Sequence, residues 1–139
     1  MPGRPVPSRR TLLRGAAVAP VAGFGLAACS TGQASSAGPT APVEVGAESE
    51  IAKGSAKLYR DHNVVVGRRD DGTLKAYSTI CTHALCPINK LEGTTLVCPC
   101  HGSRFDALTG EVLHDPATVP LKELPVEVKG GRIVAGPEA

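Results

Sequence analysis

Two short clusters hold the side chains best suited to bind a metal. The first is Cys81-Thr82-His83-Ala84-Leu85-Cys86-Pro87, and the second is Cys98-Pro99-Cys100-His101-Gly102-Ser103. Each presents a cysteine with a histidine two or three residues away and a further cysteine close by. Thiolate sulfur and imidazole nitrogen are ligands for zinc and for iron–sulfur centres. Six such groups exceed what one tetrahedral ion takes, so two remain for another purpose, including a disulfide in an oxidising compartment. On spacing alone, a structural zinc held by two Cys and two His is an equal reading. His62 and His114 lack ligand spacing and read as solvated strand-end residues, while Pro87, Pro99 and Gly102 read as loop punctuation.

The double motif, C-T-H-x-x-C followed by C-P-C-H-G-S, resembles that of the Rieske iron–sulfur family. The likeness runs on through Arg104-Phe105-Asp106 and Thr109-Gly110-Glu111 to Pro116-Ala117 and Pro120-Leu121, covering roughly residues 43–136. The resemblance implies one 2Fe–2S cluster, with Cys81 and Cys98 on one iron and His83 and His101 on the other. It also implies a Cys86–Cys100 disulfide tying the two loops together, and Ser103 as a donor to a bridging sulfide. Replacing two thiolates by neutral imidazoles makes the centre easier to reduce, within roughly −150 to +300 mV. Each imidazole keeps a second nitrogen for a proton, so electron and proton uptake are coupled. In the family the counterpart of His101 meets a quinone-like partner, which makes His101 the expected redox and proton edge.

Two residues depart from the family pattern. Phe105 stands two residues beyond Ser103, where quinol-oxidising members usually carry Tyr. Without the phenolic donor to a cysteine sulfur, an intermediate potential is expected. Leu85 precedes Cys86 where the family usually has Gly. A leucine there must avoid positive φ or accept strain, and it places an apolar group at the tip, where a partner docks or the change is neutral.

Short strands have to carry these loops. Apolar, β-branched runs separated by turn signals predict strands at Val43–Val45, Lys57–Tyr59, Val64–Gly67, Leu74–Tyr77 and Thr95–Val97. Phe105–Ala107, Glu111–Leu113, Val126–Val128 and Ile133–Ala135 continue the series. Asp70-Asp71-Gly72, Thr109-Gly110 and Gly130-Gly131 have turn chemistry. No 3.6-residue periodicity persists, so helix should be absent or limited to single turns. The expected fold is all-β: an antiparallel sandwich or small barrel of the Rieske type, with a cluster-binding subdomain of two loops, over residues 43–137.

The fifth cysteine, Cys29, lies in a region of different composition. Residues 1–28 contain Arg4, Arg9, Arg10 and Arg14 and no acidic group, and Gly15–Ala28 is uncharged. Fourteen residues at about 1.5 Å each fall short of a ~30 Å bilayer core, so the pattern is that of an export signal. Ser8-Arg9-Arg10-Thr11-Leu12-Leu13 resembles a twin-arginine signal, and Leu26-Ala27-Ala28-Cys29 resembles a lipobox that places a lipid on Cys29. Residues 29–42 are uncharged and rich in Ser, Ala, Gly, Pro and Thr, the composition of a lipidated flexible tether.

Charge narrows the function. The chain has 15 basic and 13 acidic side chains, but four of the basic ones fall in residues 1–28, leaving 11 against 13. A mildly acidic remainder excludes the basic footprint of a nucleic-acid binder. No open metal site or activated nucleophile suggests substrate turnover by the domain itself. The expectation is an exported, lipid-anchored bacterial electron carrier at the outer face of the cytoplasmic membrane, with quinol, cytochrome or another redox protein as donor and acceptor. The alternatives are an iron–sulfur subunit of a quinol–cytochrome c oxidoreductase and a zinc-stabilised, non-redox surface module. Ferredoxin components of ring-hydroxylating dioxygenases share the ligands but normally lack the two clamp cysteines.

Overall fold

Residues 37–137 are described by the structure, a computed structural model, and within them eleven strands form three antiparallel sheets. The first sheet joins β1 (Val43–Ala47), β11 (Arg132–Ala135) and β10 (Val126–Lys129) in that order. The second orders β2 (Ser55–Tyr59), β3 (Val64–Arg68), β4 (Leu74–Ser78) and β9 (Glu123–Leu124). The third is a meander of β5 (Lys90–Glu92), β6 (Thr95–Val97), β7 (Arg104–Asp106) and β8 (Val112–His114). Helix is confined, among the described residues, to single 3-10 turns at Glu48–Glu50 and Arg60–His62. The all-β expectation holds, and each expected strand is present with ends moved by a residue or two.

β5 and β9 were not expected. Lys90-Leu91-Glu92 and Glu123-Leu124 are too short and too charged to signal a strand, and pairing partners supply what local propensity lacks. β5 lies antiparallel to β6, and β9 extends the second sheet beyond β4.

The valine run of β3 explains how the layers assemble. Val64, Val65 and Val66 are all fully buried, which a half-solvated strand does not allow. Alternate side chains point to opposite faces. Val64 and Val66 enter one core with Ile51, Tyr59, Leu124 and Ile133, while Val65 enters a second core with Leu96 and Phe105. β4 behaves alike, sending Ala76 to the first core and Tyr77 to the second. β3 and β4 are therefore a shared wall between a base and the smaller third sheet.

The contact across that wall is close. Tyr77 Oη donates to the Leu108 carbonyl at 3.4 Å, and Arg69 Nε donates to the same oxygen at 3.3 Å. Gly67 of β3 faces the Ala107 carbonyl so closely that a Cβ would sit 2.5 Å from that oxygen. The Ala107 segment has little room to retreat, because its amide donates to the Thr94 carbonyl at 2.8 Å. Gly67→Ala is expected to lower unfolding stability by about 1–3 kcal/mol through overpacking. Thermal or urea unfolding checks this, and an unchanged midpoint would show that the two layers part without cost.

Candidate metal centre

The wall leads directly into the first motif. Loop 1 (residues 79–89) runs from β4 to β5, and loop 2 (residues 98–103) joins β6 to β7. Both close in the same way. In loop 1 the Cys81 amide donates to the Cys86 carbonyl at 2.8 Å, and the Leu85 amide donates back to the Cys81 carbonyl at 2.8 Å. In loop 2 the Cys98 amide donates to Ser103 at 2.9 Å, and the Gly102 amide donates to Cys98 at 3.1 Å. Each is a six-residue turn opened by a cysteine, with its fifth residue in the left-handed region: Leu85 at φ 56° and Gly102 at φ 81°. Leucine thus accepts the strain that its position threatened, at a cost of about 1–2 kcal/mol.

The turns sort donors by depth. Cys81 and Cys98 take no part in a disulfide and lie buried in the second core, at 0% and 2% exposure. Burial pushes the Cys98 thiol above the ordinary cysteine range, and its hydrogen bond with the Cys81 side chain adds to the rise. His83 and His101 are exposed, their ring centroids 4.8 Å apart and their planes edge to face at 84°. The structure brings the four side chains expected to hold metal into one place, two sulfurs inside and two imidazoles outside.

Cys86 and Cys100 form a disulfide with Cα atoms 6.5 Å apart, joining the loops covalently. Cys98 Sγ lies within 4.8 Å of both disulfide sulfurs. These three sulfurs are not a metal site, because two of them are spent on each other. Ser103 is fully buried, and its Oγ accepts the Ala117 amide at 3.0 Å, leaving the hydroxyl proton to be donated elsewhere. Phe105 is fully buried in the same core as Cys81 and Cys98 and brings no polar atom there.

A third segment completes the surroundings. Thr82 Oγ1 donates to the Val119 carbonyl at 2.6 Å, and the Leu121 amide donates to Gly110 at 2.8 Å. The sequence marked Pro116-Ala117 and Pro120-Leu121 without giving them a task; Thr82 carried no signal beyond its place in the motif. His114 is exposed beside Asp115, 3.3 Å from its carboxylate, outside the site as expected. His62 also lies outside, but it is half-buried and lines a hollow with residues 37–43 rather than standing in solvent. Residues 37–42, at the end of the expected tether, meet the base: Asn63 Nδ2 donates to the Ala37 carbonyl at 2.9 Å. The signal features at Arg9, Arg10 and Cys29 lie outside the described residues.

Two adjacent thiols and two imidazoles fit a 2Fe–2S cluster, since the donor set combines sulfur and nitrogen and the remaining two cysteines are already paired. Comparison with known proteins points the same way. Residues 41–125 match the profile of the Rieske [2Fe-2S] domain. The chain is 35% identical over 94 residues to a cytochrome b6-f complex iron-sulfur subunit of Chlorobaculum thiosulfatiphilum, covering 65% of this chain and 50% of that one. It is 41% identical over 86 residues to a cytochrome bc1 complex Rieske iron-sulfur subunit of Corynebacterium diphtheriae, covering 55% of this chain and 21% of that one. The matched part thus spans at most half the length of these relatives. Among solved structures, a cyanobacterial plasma membrane Rieske protein from Synechocystis superposes with a TM-score of 0.54 and 33% identity, covering 68% of this chain and 99% of that one.

Two outcomes follow for the loops. Removing the disulfide by the double change Cys86→Ser/Cys100→Ser frees a loop of 14-residue separation and should cost about 3 kcal/mol in denaturant unfolding. Leu85→Gly should act in the opposite direction, raising stability by about 1 kcal/mol as the left-handed strain is released. A Leu85→Gly chain that unfolds earlier than the parent would show that the leucine is held by packing instead.

Proposed function

The chain belongs to the Rieske [2Fe-2S] family, whose domain binds one 2Fe–2S cluster, and on that premise we propose an exported, lipid-anchored electron carrier at the outer face of the cytoplasmic membrane. When bound, the cluster supplies a one-electron couple whose potential lies within roughly −150 to +300 mV for ligation by two thiolates and two imidazoles. Cys81 and Cys98 hold one iron and His83 and His101 the other, with Cys86–Cys100 as the clamp. The observation that carries this reading is the exposed imidazole pair, 4.8 Å between ring centroids, beside two buried thiols.

Each residue has a separate task. Burial of Cys81 and Cys98 keeps water from the sulfur side, so the accessible route for an electron is the histidine edge. His101 is the edge that meets the donor, and its free ring nitrogen carries the proton that accompanies reduction. Ser103, its oxygen held by the Ala117 amide, keeps a hydroxyl proton available for donation to a bridging sulfide. Phe105 withholds the phenolic donor that would raise the potential further. Quinol, a cytochrome or another redox protein is the donor and acceptor. The export signal around Arg9-Arg10 and the lipid on Cys29 are supported by the basic, then apolar, then small-residue pattern of residues 1–29.

A second reading is favoured by the names of the relatives: an iron–sulfur subunit within a cytochrome b6-f or bc1 type complex. Purification from membranes without detergent-stable partners would separate a free-standing carrier from a subunit. Metal and acid-labile sulfide analysis, with EPR of the dithionite-reduced protein, tests both against a zinc module. Zinc without sulfide would retire the electron-transfer readings. In the loaded protein Phe105→Tyr should raise the midpoint potential measured by voltammetry, because the new hydroxyl enters the core that holds both thiols. An unchanged potential would remove Phe105 from the account.

A further inference from the structure

The two buried cysteines of the site do not occupy equivalent places. Cys98 Sγ lies within 4.8 Å of both sulfurs of the Cys86–Cys100 disulfide, and Cys81 does not join that group. Cys98 is 2% exposed, Cys86 is half-buried and Cys100 is exposed. Three sulfurs this close are the reactants of a thiol–disulfide exchange, in which one attacks, one is attacked and one leaves. Burial shields Cys98 from reagents in solution. It gives no shield against a disulfide already beside it, since a reaction between held neighbours needs no encounter.

The two possible products are not alike. Attack on the Cys100 sulfur would tie Cys98 to a residue of its own turn and part the two loops. Attack on the Cys86 sulfur keeps the loops joined, because residues 86 and 98 enclose nearly the same length of chain as 86 and 100. It also moves the unpaired sulfur from the buried position 98 to the exposed position 100, where water solvates it. The second product is therefore the favoured one.

We propose that Cys86, Cys98 and Cys100 form an exchange site: when Cys98 holds no metal, its sulfur displaces Cys100 from Cys86, leaving a Cys86–Cys98 disulfide and an exposed Cys100 thiol. This role rests on the assignment of Cys98 to iron proposed above, because a sulfur engaged with metal has no free electron pair to attack with. One S–S bond breaks and one forms, the proton of Cys98 ends on Cys100, and no oxidant or reductant is consumed. A rearranged chain has lost one of its four ligands. Loss of the cluster is thereby converted into a covalent change that prevents reloading until the disulfide is reduced.

The test starts from the cluster-loaded protein, incubated with bathophenanthroline disulfonate under flowing argon, which excludes air oxidation and carries off released sulfide. Samples are unfolded at intervals in guanidinium with excess N-ethylmaleimide, then digested without reduction for peptide mass mapping. As the visible absorbance of the cluster falls, Cys86–Cys98 should replace Cys86–Cys100 in most chains within hours, the ordinary timescale of uncatalysed rearrangement. Alkylated Cys100 should rise from near zero in step, Cys81 should remain alkylated throughout, and protein without chelator should keep Cys86–Cys100. Chains that lose the cluster yet keep Cys86–Cys100, with Cys81 and Cys98 both alkylated, overturn the exchange. So does entry of Cys81 into disulfides as often as Cys98, which is reshuffling in an unfolded chain and owes nothing to where Cys98 sits. Protein that holds no iron or acid-labile sulfide as isolated is a different failure, which removes the electron-carrier reading and the ligation-controlled exchange with it.

Discussion

Everything in the site depends on holding two solvent-facing loops at a fixed separation. Backbone hydrogen bonds shape each turn, but turns at the ends of different strands drift relative to one another unless something spans them. The Cys86–Cys100 bond is that span, joining the last residue of the first turn to the third residue of the second. Closing a loop of this length is worth about 3 kcal/mol by restricting the unfolded chain, comparable to a fully buried apolar side chain. The third segment adds polar ties: Ser103 to Ala117 behind the sulfurs and Thr82 to Val119 beside His83. The rigidity of the site is therefore local, one covalent bond and two polar ties holding the loops above the core.

The core contributes by deciding depth. β3 and β4 send alternate residues to two cores, so the same strands that stabilise the base also form the floor beneath Cys81 and Cys98. Burial opposes ionisation of the Cys98 thiol, while the backbone amides of Cys100 and His101 offer its sulfur hydrogen bonds that favour the thiolate. The histidines carry no comparable burden because solvent reaches them. Placing sulfur inside and nitrogen outside thus follows from the fold, and it leaves the imidazole edge as the solvent-facing side of the site.

Much of this was legible in the residue pattern. Cysteine and histidine spacing, read with the family resemblance, named the loops and their pairing, and turn chemistry located the hairpins around Gly72 and Gly131. Other features were hidden for physical reasons. β9 holds two residues and exists only because β4 offers an open edge. The double-sided burial of Val64–Val66 could not be told from an ordinary apolar strand, because periodicity reports which faces alternate and not what covers them. Leu85 was marked as a conflict between side chain and backbone, yet only the observed φ of 56° decides that strain was accepted and not avoided. The contact of Thr82 with Val119 joins residues 37 positions apart, and nothing local encodes it.

The charges complete the division of labour. Ion pairs such as Lys57–Glu50, Lys90–Glu92, Lys129–Glu127 and Arg132–Glu44 are solvent-exposed and salt-screened, so they add little to stability. What they do is keep formal charge at the base and the strand edges. Within the two loops and the segment 116–121 a lone charge would have a larger effect, since at 4 Å it interacts by about 4 kcal/mol at an effective dielectric near 20. Such an interaction would shift the electron affinity of anything held between Cys81, Cys98, His83 and His101. With no formal charge in these segments and the sulfurs buried, the electron affinity of anything held there is left to the four side chains that would hold it.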